Sequence, residues 1–250
     1  MADDIILSAS GLTKEFKGFI AVDGVDLRVR RGSIHALIGP NGAGKTTCFN
    51  LLTKFLTPTR GTITYNGRDI TQRKPADIAR LGLIRSFQIS AVFPHMSVLE
   101  NVRIALQRER NDSFAFWRSQ STLDSLNGRA HDLVQAVGLI EFIDSLAGEL
   151  SYGRKRALEI ATTLALDPEL MLLDEPMAGM AADDVDRITQ LIRRVSKNRT
   201  VLMVEHNLSV VSTLSDVITV LARGKVLAEG DYATVSKDPR VLEAYIGAHP

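Results

Sequence analysis

A single cysteine, Cys48, occurs in 250 residues, which excludes an internal disulfide and a cysteine-rich metal site. No sign of charge dominates either. Thirty lysines and arginines face 29 aspartates and glutamates, and a net charge of +1 gives no reason to expect nucleic acid or an anionic membrane as a partner. No apolar run approaches the ~18 residues needed to cross a bilayer. Internal repeats and low-complexity tracts are also missing. The opening Met1-Ala-Asp-Asp is acidic and polar and predicts no secretory signal. What remains is an ordinary globular composition, 45% hydrophobic and 24% charged. The chain is long enough to bury a full core, as one large α/β domain or a core with an appendage. All of this fits the cytoplasm.

What is present is concentrated first in nine residues. Gly39-Pro40-Asn41-Gly42-Ala43-Gly44-Lys45-Thr46-Thr47 fits the Walker A phosphate loop, G-x-x-x-x-G-K-[ST]. The glycines let successive backbone N–H groups turn inward around a triphosphate, while Lys45 neutralises its β and γ oxygens. Thr46 would place its hydroxyl on a magnesium ion, and a helix starting near Gly44 would aim its positive end at the phosphates. The apolar run His35-Ala-Leu-Ile38 supplies the buried strand that should precede such a loop. A nucleoside triphosphate and magnesium are the ligands this loop predicts.

The rest of the chain reads as alternating strands and helices. Residues 5 to 35 alternate short apolar runs with turns and predict antiparallel strands. A helix is expected from Thr47 to Leu56, closed by Pro58. Gly61-Thr-Ile-Thr-Tyr65 followed by Asn66-Gly67 predicts a hairpin with a type I′ turn. Leu83 to Gln88 has strand character. Ser97-Val-Leu-Glu100 fits a capping box opening a helix to about Leu106. Residues 107 to 122, polar and weakly periodic, read as an excursion. Further helices are expected to about Val137 and over Ser151 to Leu166. Val185, Ile188, Leu191, Ile192 and Val195 then recur at helical spacing. Leu170–Leu173, Thr200–Val204 and Val217–Leu221 read as buried strands.

Leu170-Met-Leu-Leu-Asp174-Glu175 lies 129 residues beyond Lys45, counted to Asp174, and matches a Walker B strand. Asp174 would hold magnesium through its water shell. Glu175 could take a proton from the attacking water. A strand ending in solvated acids is common on surfaces; the upstream phosphate loop is what favours the catalytic reading.

Leu150-Ser151-Tyr-Gly153 stands 23 residues before Asp174, counted from Ser151. The order phosphate loop, Gln88, Leu-Ser-x-Gly, Asp-Glu, His206 resembles the ATP-binding subunit of ABC transporters over essentially the whole chain. The resemblance implies a P-loop NTPase core, an antiparallel β subdomain and an inserted α-helical subdomain, and it makes the nucleotide ATP, with Mg2+. Within a single ATPase domain, residues 1–88 and 155–235 would form the core, 89–154 the helical subdomain and 236–250 a C-terminal extension. It also implies that Ser151 and Gly153 cap the γ-phosphate held by a partner subunit, and that Gln88 touches magnesium and the attacking water. By the same resemblance His206 contacts the γ-phosphate and Phe16 stacks on adenine, with a core phenylalanine as the lesser alternative for Phe16 because Phe19 lies nearby. After Pro176 the chain departs from the family pattern. Ala181 stands where relatives usually carry an acidic or amide side chain, which puts the coupling of two ATP sites in question.

Three further segments resemble branched-chain amino-acid importers: Leu150–Ile160, Val204-Glu-His-Asn-Leu208 and Asp238–Gly247. The extra residues around Asn111 to Asn127 resemble the larger of the two ATPases those importers use. The implied partners are a second ATP-binding subunit, two permeases and, indirectly, a periplasmic binding protein, with the chain peripheral on the cytoplasmic face of the inner membrane. Urea and amide importers and the ATPase of lipopolysaccharide export share much of this pattern. An ABC ATPase of DNA repair or translation, and a non-hydrolysing regulatory module, are the more distant alternatives.

Overall fold

The computed structural model describes residues 4–86, 92–107 and 126–246. Gln88 and most of the 107–122 excursion lie outside the described residues. Along the chain run β1 (Ile5–Phe16), β2 (Phe19–Arg30), β3 (Ile34–Ile38), α1 (Lys45–Leu52), β4 (Arg60–Tyr65), β5 (Arg68–Asp69), α2 (Pro75–Arg80) and β6 (Leu83–Ser86). Then come α3 (Val98–Gln107), α4 (Asn127–Ala136), α5 (Tyr152–Leu164), β7 (Leu170–Asp174), α6 (Ala182–Val195) and β8 (Thr200–Val204). The chain continues through α7 (Leu208–Leu214), β9 (Val217–Ala222), β10 (Lys225–Gly230), α8 (Tyr232–Val235) and α9 (Pro239–Ile246). No helix among the described residues is long and apolar enough to cross a membrane.

The described residues form two compact units. One draws on Met1–Arg85, Glu169–Pro176 and Val195–Pro250, and holds two sheets. The larger sheet has the order β10-β9-β3-β8-β7-β6. Its central strands β9, β3, β8 and β7 run parallel. Every residue of β3, β7 and β8 is buried, which is why they read as continuous apolar runs: a parallel sheet is covered on both faces. The second sheet, β2-β1-β4-β5, is antiparallel. There β2 alternates, with Val25, Leu27 and Val29 buried and Asp26, Arg28 and Arg30 exposed, as a strand with one solvated face does. Asn66 and Gly67 take φ of 48° and 72° between the paired Tyr65 and Arg68, the positive φ pair a type I′ turn requires.

The other unit draws on Ser86–Pro168 and Met177–Arg194 and is helical. There α3 packs against α4 and α5. The capping box at its start forms both ways: the Glu100 carboxylate accepts from the Ser97 N–H at 2.7 Å, and the Ser97 hydroxyl accepts from the Glu100 N–H at 3.1 Å. On α6, Ile188, Leu191 and Ile192 are buried while Asp183 and Asp184 sit in the first turn and Arg193 and Arg194 in the last. That charge order suits the helix dipole.

Two expectations need correction. The helix after the phosphate loop stops at Leu52, not Leu56, because Lys54 turns left-handed at φ 63° and the Thr53 hydroxyl is bonded back to the Phe49 carbonyl. The region 5 to 35 is two strands of 12 residues each, kept in one sheet across several register shifts, plus β3 in the other sheet.

Candidate functional site

Three parallel strands bring three loops level. Leu37 of β3 pairs with Val204 of β8, and Val204 pairs with Asp174 of β7. The residues that follow, Gly39–Thr47, Glu175 and Glu205–His206, therefore leave the sheet together at its carboxyl edge, where open α/β sheets bind ligands.

The phosphate loop is shaped by its neighbours. Gly44, the N-cap of α1, has φ 97°, and a Cβ there would lie 2.5 Å from the Ala21 carbonyl oxygen, so no side chain fits. Lys45 opens α1 and folds back on its own loop, donating to the carbonyls of Gly39 at 2.7 Å and Pro40 at 3.0 Å. Burial lowers the Lys45 pKa, opposed by the nearby Glu175 carboxylate. Asn41, Gly42 and Thr46 are exposed, Ala43 is buried, and Pro40 and Thr47 are half-buried.

Asp174 ends β7 only 3% exposed, and Arg85 of β6 meets it: Nη2 donates to Oδ2 at 2.5 Å. Glu175 follows at φ 44°, a left-handed turn that costs a non-glycine residue about 1–3 kcal/mol and is held by its N–H on the Val204 carbonyl at 3.0 Å. His206 is exposed on the turn after β8. The buried Glu205 carboxylate accepts from the His206 N–H at 3.1 Å and the Asn207 N–H at 3.3 Å. Asn207 in turn caps α7, accepting from the N–H groups of Ser209 and Val210. The Glu205 carboxylate thus holds the backbone around the histidine, whose ring makes no hydrogen bond among the described residues.

Phe16 closes β1 opposite Phe19 and is 40% exposed, with the Lys14 ammonium 5.2 Å from its ring centre. It is not a core residue. Ala21, whose carbonyl touches the phosphate loop at Gly44, lies just along the same hairpin.

In the helical unit, Ser151 stands at the N-cap of α5, extended and exposed, but its side chain makes no capping hydrogen bond. Gly153 is buried for a specific reason. A Cβ there would meet the Asp184 carboxylate at 2.4–2.6 Å. Asp184, in the first turn of α6, is also paired with Arg187 at 3.3 Å. Ala181 is exposed just before α6.

The sequence model described as ABC transporter matches residues 22–178, well over half of the chain. The chain belongs to the ABC transporter family. Its residues 225–250 also match the model described as branched-chain amino acid ATP-binding cassette transporter. This ABC ATPase is 40% identical to BraF, a high-affinity branched-chain amino acid transport ATP-binding protein of Pseudomonas aeruginosa, over 97% of this chain and 98% of that one. It is 37% identical to LivG, of the same description, from Escherichia coli, at the same coverage. A nucleotide-free ATP-binding cassette from an ABC transporter superposes with a TM-score of 0.85 at 31% identity, covering 97% of this chain and 99% of that one. It is an ATP-hydrolysing ABC subunit; ATPases of this family use ATP and Mg2+ and pair with one another and with membrane permeases.

Three residues escaped the sequence reading. Arg85 left a faint signal, a lone charge in the apolar run Leu83-Ile84-Arg85. Glu205 follows a buried strand and was visible only as half of Glu-His. Asp184 gave none, because its contact with Gly153 spans 31 residues (184 − 153) and two helices.

Proposed function

We propose that this ATPase powers the import of branched-chain amino acids from the cytoplasmic face of the membrane, working with a homologous or identical second ATPase, two permeases and a solute-binding protein. The match of residues 225–250 to the branched-chain model carries the reading, since that segment lies outside the nucleotide motifs. The names of BraF and LivG support it over the full length.

In this reading the Gly39–Thr47 loop wraps the triphosphate and Lys45 turns its ammonium from loop carbonyls to phosphate oxygens. The donor set suits magnesium: one buried carboxylate, Asp174, and one exposed hydroxyl, Thr46, with no cluster of three or more His, Cys, Asp or Glu among the described residues. Mg2+ binds with few protein ligands and keeps several waters and phosphate oxygens, so a crowded carboxylate cage is not needed. When bound, it would be held by Thr46, Asp174 and Gln88 and would neutralise charge on the phosphate oxygens. Glu175 takes the proton of the attacking water, and its left-handed turn follows Asp174 directly at the strand end. His206 donates to the γ-phosphate from its pinned turn. Phe16 lies under the adenine. Ser151 and the N-terminus of α5 complete the pocket of the neighbouring subunit, where a helix start favours phosphate. Hydrolysis separates charge inside the sandwich, and its reopening moves the permeases.

Reconstitution in proteoliposomes with its cognate permeases tests the substrate. ATP hydrolysis should rise when the cognate binding protein carries leucine, isoleucine or valine. Stimulation by urea or an amide alone would overturn the assignment.

A further inference from the structure

The Arg85 guanidinium is held on several sides near the end of β7. It is 12% exposed and uses separate nitrogens for separate partners. While Nη2 binds Asp174, Nη1 donates to the Asn50 side-chain oxygen at 2.6 Å and lies 3.4 Å from the Thr53 hydroxyl. The Phe49 and Phe55 ring centres lie 5.3 and 5.5 Å from its central carbon. Phe49 and Asn50 belong to α1, the helix that begins in the phosphate loop, and Thr53 is its C-cap. One planar cation therefore ties the loop's helix to the carboxylate that ends β7.

We infer that Arg85 is a positioning residue for Asp174: it fixes the orientation of the buried carboxylate for the magnesium–nucleotide complex. The inference rests on the proposed role of Asp174. A forked guanidinium commits one oxygen to a set direction, which an ammonium on a flexible stem does not do. With that oxygen held by Arg85, Asp174 is oriented before nucleotide arrives, so little reorganisation accompanies binding. Simple packing would need only the apolar stem and the two rings; it would not need three polar contacts on two elements.

The test measures the Mg2+ midpoint for binding of a fluorescent ATP analogue to the full chain, beside its affinity in EDTA. Partners that orient metal ligands typically change metal affinity about 10–100-fold when replaced. Arg85→Lys, which keeps the charge and the fold, should raise the Mg2+ midpoint about 10-fold with the affinity in EDTA unchanged. Arg85→Met should raise it further. If Met at this position does not fold, the lysine variant decides. A parental Mg2+ midpoint in Arg85→Lys, or an equal loss of affinity with and without Mg2+, overturns the inference. Asp174→Asn runs alongside: a parental midpoint there would instead sink the role given to Asp174.

Discussion

Two helix starts in this chain carry similar sequence signals and are finished in opposite ways. At α1 the approach is crowded with backbone: Gly44 lies against the Ala21 carbonyl, and Lys45 is bonded to the Gly39 and Pro40 carbonyls of its own loop. At α5 the first side chain, Ser151, is exposed and caps nothing, and the group pressed on Gly153 is the end of a side chain, the Asp184 carboxylate. A carboxylate near a helix N-terminus stabilises it by about 0.3–1 kcal/mol, so Asp184 partly satisfies a charge preference that a phosphate would satisfy better. The first start is complete within one polypeptide. The second leaves its serine exposed and uncapped, as the proposed shared nucleotide pocket requires.

The largest effect should come from the chemistry placed at the first start. Glu175→Gln should bind ATP normally and hydrolyse it about 10²–10⁴-fold more slowly, with ATP-stabilised dimers accumulating on size-exclusion chromatography. Near-normal turnover would remove Glu175 as the base.

A pair of glycine substitutions sharpens the contrast. Gly44→Ala places a methyl against backbone at a positive φ, so nucleotide binding should be lost and no neighbouring substitution should restore it. Gly153→Ala meets only a carboxylate. It should destabilise the fold by about 1–3 kcal/mol in a denaturant titration, leave ATP affinity unchanged, and recover when Asp184→Ala is added. Failure of that recovery would mean the second start is as rigid as the first.

A further effect bears on the first start alone and depends on pH. β3, which leads into the phosphate loop, carries the buried His35, hydrogen-bonded through Nε2 to Thr219 at 2.8 Å. Burial, with Arg30 adding to it, lowers its pKa from 6.5 to about 4. Its folded pKa lies below its unfolded one, so the unfolded chain binds the proton first as pH falls. Stability is complete above pH 6.5 and drains as pH drops toward 4, by at most about 1.4 kcal/mol per unit. In urea melts across that window, His35→Gln should show a shallower loss than the parent. An identical slope would show that His35 does not titrate on unfolding.

Much of this was legible beforehand, for physical reasons. The phosphate loop needs a fixed pattern of small residues, and buried parallel strands must be apolar throughout, so Gly39–Thr47, β3, β7 and β8 announce themselves locally. The capping box and the Asn66-Gly67 turn are likewise short-range devices. The end of α1 was misread because a lysine, Lys54, takes the left-handed position that glycine usually marks. The edge strand β10 was missed because none of its residues is buried, so no apolar run betrays it. Arg85 with Asp174, and Asp184 with Gly153, join residues 89 (174 − 85) and 31 (184 − 153) positions apart, and no local periodicity encodes such contacts.

The central claim is that each ATP is gripped by two polypeptides, and the Glu175→Gln complex trapped with ATP tests it most directly. Its structure should show a triphosphate inside one subunit's Gly39–Thr47 loop with the facing ATPase's Leu-Ser-x-Gly serine, Ser151 where the pair is identical, within hydrogen-bonding distance of the γ-phosphate. A triphosphate contacted by a single chain, with that serine turned to bulk water, would contradict the account.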